Sequence, residues 1–347
     1  MSGSNLAIVV ALVVWLVGSA LQGAPSASRP GVASGEPAGT LVAAYYVDAA
    51  SYASLQAHAD RIRAVSVWAW AVDASGQLRS PTADATLRQV RQAAEAHGLA
   101  VYALVHNAPD GRFDGAAAHA LLTDPDARAR AVDALAREAE RHGLDGITLD
   151  LEGVPPGDRE ALSAFVQELA DRLRRDGRYL GVAVPARTAD DPSQAFSAAY
   201  DYRALGRSAD GLWLMTYDEH HADGPPGPVA SIGWVEQVVR YAVSRVPSRK
   251  VILGLPAYGY EWSGGQGRAL TYAQAVERMA RYGATLRWDG AAKAPYFIAG
   301  DRQVWFEDRY SAGYKSQLVR RYGLGGVALW RLGLEDPGVW EVIGRAR

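Results

Sequence analysis

Residues Asp145 to Glu152 read Asp-Gly-Ile-Thr-Leu-Asp-Leu-Glu. Apolar and polar types alternate, and on a strand alternate side chains share a face. Ile147, Leu149 and Leu151 then point one way, and Thr148, Asp150 and Glu152 the other. If that second face is closed from water, two carboxyls so close cannot both ionise comfortably, and one keeps its proton near neutral pH. A retained carboxyl proton is what a general acid needs. The same alternation also fits an amphipathic strand with its polar face in water. The surrounding elements decide between the two.

From about Thr40 the chain alternates β-branched or aromatic runs with longer amphipathic segments. Strands are predicted at Leu41–Val47, Val65–Val72, Leu99–His106, Ile147–Glu152, Tyr179–Pro185, Gly211–Tyr217, Val251–Tyr258 and Gly326–Trp330. Leu162, Phe165, Val166, Leu169 and Leu173 recur at helical spacing, with Gly177 as a stop. Asp124 followed by Pro125 reads as an N-cap with proline at the first helical position. Strands each followed by a helix predict an α/β fold, a (β/α)8 TIM barrel. The alternative, an open doubly wound sheet, calls for a glycine-rich phosphate loop after the first strand, where the sequence has Tyr46-Val47-Asp48-Ala49-Ala50. More than sixty residues separate Tyr258 from Gly326, too many for one helix and two loops. A small α+β insertion is expected at about 263–308, with Thr271 and Gln274 capping its helix and strands near Tyr296–Ile298 and Val304–Phe306. In such a barrel Asp150 and Glu152 face inward, Glu152 nearest the C-terminal mouth. Carboxylates there cost on the order of several kcal/mol unless they serve a purpose.

Composition narrows the chemistry. Nearly half of the 347 residues are apolar, enough for a sizeable core. A net charge of −2 gives no basic field for nucleic acid, and no such partner is expected. With no cysteine, disulfides, thiolate nucleophiles and zinc–cysteine sites are excluded. The histidines show no metal-ligand spacing, and the adjacent pair His220-His221 is poorly arranged to converge on one ion. No metal and no cofactor is expected. Leu6 to Leu21 is an uncharged run, apolar apart from Gly18 and Ser19, that gives way to Gly23-Ala24-Pro25-Ser26. Its length suits a signal-peptide core better than a full span of about 20 residues, although no Lys or Arg precedes it. A buried helix is the alternative. Residues 1–22 are read as a signal peptide or membrane anchor, 23–39 as a flexible linker and 40–347 as the barrel. The protein is expected to be exported, to the exterior, the cell wall or a membrane tether through residues 6–21, and to act as a monomer.

The Asp145–Glu152 segment resembles the D-G-x-D-x-D-x-E signature of glycoside hydrolase family 18, the chitinase-like family. Asp145, Gly146, Asp150 and Glu152 match, and Thr148 stands where most members carry another Asp. Leu214-Met215-Thr216-Tyr217-Asp218 resembles the family's sixth-strand block, and Ala328-Leu329-Trp330 its eighth strand. Tyr217-Asp218-Glu219-His220, Gly224-Pro225-Pro226-Gly227-Pro228 and the run from Gly254 to Trp262 resemble the bacterial spore-germination and cortex-lytic branch, whose members act as N-acetylglucosaminidases on peptidoglycan. The resemblance implies retaining, substrate-assisted cleavage beside an N-acetylated sugar. Glu152 would be the proton donor, Asp150 would hold the acetamido N–H, Tyr217 would donate to the acetamido oxygen, and Trp330 would floor the sugar site. Asp218 would bind a sugar hydroxyl or the neighbourhood of Tyr217. Thr148 can offer Asp150 only a neutral hydrogen bond, where an Asp could share a proton. Among other residues near strand ends, Trp70, Asn107 and Tyr258 are candidate glycan contacts. Trp70 is preferred over Trp68, which the alternation puts on the same face. The expected partner is an N-acetylated glycan, peptidoglycan or chitin-like. The competing readings are a chitinase, a catalytically silent chitinase-like lectin, and a structural wall-anchored domain.

Overall fold

A computed structural model describes residues 40–80 and 84–343; the export and linker readings for residues 1–39 lie outside the described residues. The barrel strands are β1 (Leu41–Tyr46), β2 (Ala64–Val72), β3 (Ala100–His106), β4 (Gly146–Asp150), β5 (Tyr179–Pro185), β6 (Gly211–Met215), β7 (Val251–Pro256) and β8 (Gly326–Trp330). They pair in parallel in sequence order, and β1 closes the ring by pairing with both β2 and β8. This is the predicted (β/α)8 barrel.

The capping signals hold. Asp124 accepts from Asp126 N, with Pro125 opening the helix Pro125–Arg141. The helix Arg159–Arg175 buries Leu162, Phe165, Val166, Leu169 and Leu173 on one stripe. Between strands and helices these residues meet Ile147, Leu149 and Leu151 in the main hydrophobic core. Each such side chain contributes roughly 1.5–3 kcal/mol on burial. A second, smaller core fills the barrel itself with Leu41, Tyr45, Tyr102, Leu104, Trp213 and Ile252. Within it Tyr102 stacks on Tyr179 at 4.8 Å, and Trp213 Nε1 donates to the Tyr179 hydroxyl at 3.0 Å.

Three expectations are revised. The predicted strands four, six and seven run too far: β4 stops at Asp150, β6 at Met215 and β7 at Pro256. Apolar and aromatic types continue past each end, so pattern alone does not mark where the ladder stops. Tyr258 instead opens the insertion, a five-stranded antiparallel sheet of Tyr258–Ser263, Gln266–Thr271, Arg287–Asp289, Ala294–Ala299 and Arg302–Phe306. It carries the helix Tyr272–Arg281, capped by Thr271 and Gln274 as expected. The third revision is Trp70. The β2–β3 register slips between Trp68 and Trp70, so that Trp68 pairs with Leu104 but Trp70 with Val105. One extra residue flips the alternation. Trp68 therefore points into the barrel, while Trp70 is buried in the outer core beside His142 and is no candidate for glycan contact.

Gly254 sits where β7 passes β6. A Cβ there would lie 2.1 Å from the Leu214 carbonyl oxygen and 3.0 Å from the Tyr217 ring. Gly254→Ala should therefore cost roughly 1–3 kcal/mol, the usual range for overpacking a filled site. Urea unfolding followed by tryptophan fluorescence would register it, and an unchanged midpoint would contradict this packing.

Candidate active site

The mouth is assembled from the C-terminal ends of the strands, where chain leaving a ladder must satisfy its backbone groups by other means. After β4 these groups are taken by side chains. Leu151 O accepts from the Tyr200 hydroxyl at 2.5 Å. Glu152 N–H donates to Asn107 Oδ1 at 2.9 Å, and Asn107 Nδ2 donates to Glu152 O at 2.8 Å and to Asp114 O at 2.9 Å. Asn107 is 1% exposed. It is thus a clamp on the backbone of Glu152 and not a glycan contact: its amide is spent on the chain. Gly153 follows at φ 68°, a left-handed conformation that glycine adopts at no steric cost.

Asp150 and Glu152 face inward as predicted. Asp150 is 5% exposed. Burial raises its pKa, and raises that of Glu152 too, where repulsion from Asp150 and then Asp218 adds to it. The pair therefore holds a proton at pH values where ordinary carboxyls are bare. Thr148 lies directly below, but its hydroxyl is hydrogen-bonded to Ser66 across the barrel and not to Asp150.

Tyr217 lies two residues past β6, its ring roughly parallel to Trp330 at 6.3 Å. Burial raises its phenol pKa well above the ordinary value, with Tyr45, Asp150, Glu152 and Asp218 adding to the shift. At neutral pH it is a hydroxyl donor. Trp330, half-buried at the end of β8, meets Tyr45 edge-on at 4.9 Å and Trp68 at 6.3 Å. Tyr45 and Trp68 thus belong to the mouth; the preference for Trp70, as the residue nearer the C-terminal end of the strand, assumes an alternation that the bulge breaks.

Asp218 adopts φ 60°, a left-handed conformation that Asp tolerates better than most residues. Its Oδ1 accepts from the hydroxyls of Tyr258 at 2.5 Å and Tyr260 at 2.8 Å, both on the first strand of the insertion. Tyr258 is therefore a support for Asp218, and Tyr260 a partner that sequence reading missed. Its signal was the alternation Tyr258, Tyr260, Trp262 along one strand face. A cavity of about 300 Å³ opens between insertion and mouth, lined by Asp218, Tyr258, Tyr260, Thr271, Trp330 and Arg331. A larger one of about 520 Å³ lies near Trp70 among Arg130, Asp133 and Arg137, away from these carboxyls. Among the described residues no three His, Asp or Glu side chains converge as a metal site.

Aromatic walls that stack on the apolar faces of sugar rings, beside a protonated carboxyl, suit acid-assisted cleavage of a polyhydroxylated substrate. Residues 43–335 match the model of glycosyl hydrolases family 18. The chain is 36% identical over 69% of its length to YdhD of Bacillus subtilis (strain 168), which carries a provisional assignment as a sporulation-specific glycosylase. It is 31% identical over 74% of its length to the cortical fragment-lytic enzyme of the same organism. It spans 59% and 62% of those two relatives. A solved chitinase from Chromobacterium violaceum ATCC 12472 superposes with a TM-score of 0.84 at 36% identity, covering 89% of this chain and 99% of that one.

The raised carboxyl pKa values link charge to stability. Folded Glu152 keeps its proton above the ordinary carboxyl value of 4.5, where the unfolded chain has released it, so stability falls as pH rises from there. Glu152→Gln removes this loss. The variant should unfold at higher urea than the parent at pH 8, by roughly 1 kcal/mol or more, since one unit of pKa is worth about 1.4 kcal/mol. At pH 4 the difference should nearly vanish; a constant difference across that range would contradict a proton held on Glu152.

Proposed function

The chain belongs to family 18 of the glycosyl hydrolases and is related to cortex-lytic enzymes and chitinases, and we propose that it cleaves β-linked N-acetylglucosamine in peptidoglycan by a retaining, substrate-assisted reaction. The observation that carries this reading is the buried carboxyl pair Asp150–Glu152, its pKa values raised by burial, beside the un-ionised phenol of Tyr217.

In this reading the 2-acetamido oxygen of the bound sugar attacks the anomeric carbon as Glu152 gives its proton to the departing glycosidic oxygen. The first step yields a bicyclic oxazolinium intermediate and the free alcohol. Glu152, now a carboxylate, takes a proton from water as that water attacks the same carbon, and the acetamido oxygen leaves. Two inversions give net retention. Asp150 accepts the acetamido N–H and offsets the positive charge that develops there. Tyr217 donates its hydroxyl to the acetamido oxygen and aims it. Trp330 stacks under the ring, and Asp218, anchored by Tyr258 and Tyr260, accepts from a sugar hydroxyl. The Asn107 clamp keeps the Glu152 backbone from drifting, which matters because an error of about 1 Å can cost 100-fold in rate.

Peptidoglycan is favoured over chitin by the likeness to a cortical fragment-lytic enzyme and by the Tyr217–His220 and Gly254–Trp262 segments. Export toward that substrate is proposed from the apolar run Leu6–Leu21. Recovery of the full chain and of a chain starting near Gly39 in equal cytosolic amounts would refute it. A silent lectin would have no use for an intact Asp150 and Glu152 together.

Glu152→Gln should lower turnover by about 10²–10⁴-fold while glycan binding persists. Mass spectrometry of products from purified peptidoglycan and from chitin measures both the loss and the preferred glycan. A variant with near-normal turnover would sink the assignment. A stable thiazoline mimic of N-acetylglucosamine should inhibit competitively, and substrates with a free 2-amino group at the cleaved sugar should be inert. A covalent glycosyl ester trapped on Asp150 or Glu152 would rule out substrate assistance.

A further inference from the structure

Two buried side-chain atoms on the barrel's inner face have no hydrogen-bond partner among the described residues: Nε2 of His106 and Oδ1 of Asp150. They belong to residues paired in register across β3 and β4. Residues so paired on neighbouring strands project to the same face, here inward, as Leu104 and Thr148 do one step lower. The imidazole is fixed in place. Its Nδ1 accepts from Ala108 N–H at 3.1 Å, which leaves the ring proton on Nε2. Its face lies on Trp68, with centroids 3.9 Å apart and planes 24° apart. The ring is fully buried, and burial lowers its pKa to about 4, so it stays neutral and carries one N–H. The hydroxyl nearest to Asp150 on its own strand, that of Thr148, is engaged with Ser66.

We propose that His106 is the positioning residue of Asp150, its Nε2–H being the donor that fixes the carboxylate inside the barrel. A turn of the Asp150 side chain, or one bridging water, brings donor and acceptor together. One carboxyl oxygen is then held on His106 and the other is left to face the mouth. A buried donor and a buried acceptor on paired residues thereby satisfy each other, as buried polar groups in folded proteins do. The titratable groups around the mouth include Tyr45 from β1, Asp150 from β4, Glu152 and Tyr200 beyond it, Tyr217 and Asp218 beyond β6, and Tyr258 and Tyr260 beyond β7. Asp150 alone of these is paired in register with His106. The structural pairing stands without any catalytic role; its kinetic consequence rests on the function proposed for Asp150.

The structural arm of the test uses the full chain with ¹⁵N-labelled histidine. Asp150→Asn should move the His106 Nε2–H resonance and abolish its titration with the carboxyl, whereas Glu152→Gln should move it less. A resonance indifferent to Asp150→Asn overturns the proposal, whether or not the protein cleaves glycan. The kinetic arm compares His106→Phe, which keeps the stack on Trp68 but has no donor, with His106→Gln, which retains an N–H. His106→Phe should lower kcat roughly 10-fold with KM within about twofold, as expected for one buried hydrogen bond to a charged group. Its acidic limb should move to higher pH, because a carboxylate that loses a donor is harder to ionise. His106→Gln should recover most of the rate. Equal losses in both variants, or no loss in either, overturn the proposal and leave His106 as packing for Trp68.

Discussion

Asp150 puts a carboxyl inside a barrel filled mainly by rings and branched chains, and Glu152 adds a second acid at its rim. Desolvation raises the pKa of both, and their mutual repulsion raises it further for Glu152. Such burial costs on the order of several kcal/mol, which the rest of the molecule must offset. The offset is visible in the outer core, where helix stripes cover Ile147 and Leu149 on the back of the same strand and Leu151 just past its end. One strand thus does two jobs: its apolar face anchors the fold and its polar face holds a proton that solvent would otherwise remove.

The side chains that hold the site are themselves held from outside the strand that carries them. Past the end of β4, Asn107 and Tyr200 take over the hydrogen bonds that a longer ladder would have supplied to Leu151 and Glu152. Past β6, Asp218 takes a left-handed conformation and is fixed by two tyrosines of the insertion. The insertion is therefore more than a wall beside the mouth. It stabilises the turn that presents Tyr217, and Gly254 leaves the space that Tyr217 occupies. A barrel whose strand ends were simply open loops would leave these groups without fixed orientation, and electrostatic stabilisation depends on fixed orientation.

The sequence by itself determined the barrel, the inward face of β4 and the position of Glu152 at its mouth, because strand alternation and helix periodicity are local properties of the chain. It also determined the caps at Asp124 and Thr271, whose partners lie two or three residues away. Tertiary structure alone decided what depends on neighbours distant in the chain. The bulge that separates Trp68 from Trp70 is a mismatch between β2 and β3, and no pattern within β2 announces it. Asn107 clamps a backbone 45 residues away, Thr148 bonds to Ser66 at a separation of 82, and Asp218 reaches tyrosines 40 and 42 residues on. The period-two rule tells which way a side chain points only while the ladder is unbroken. What it meets there is settled by barrel closure, which brings β1 against β8 and sets Tyr45 beside Trp330.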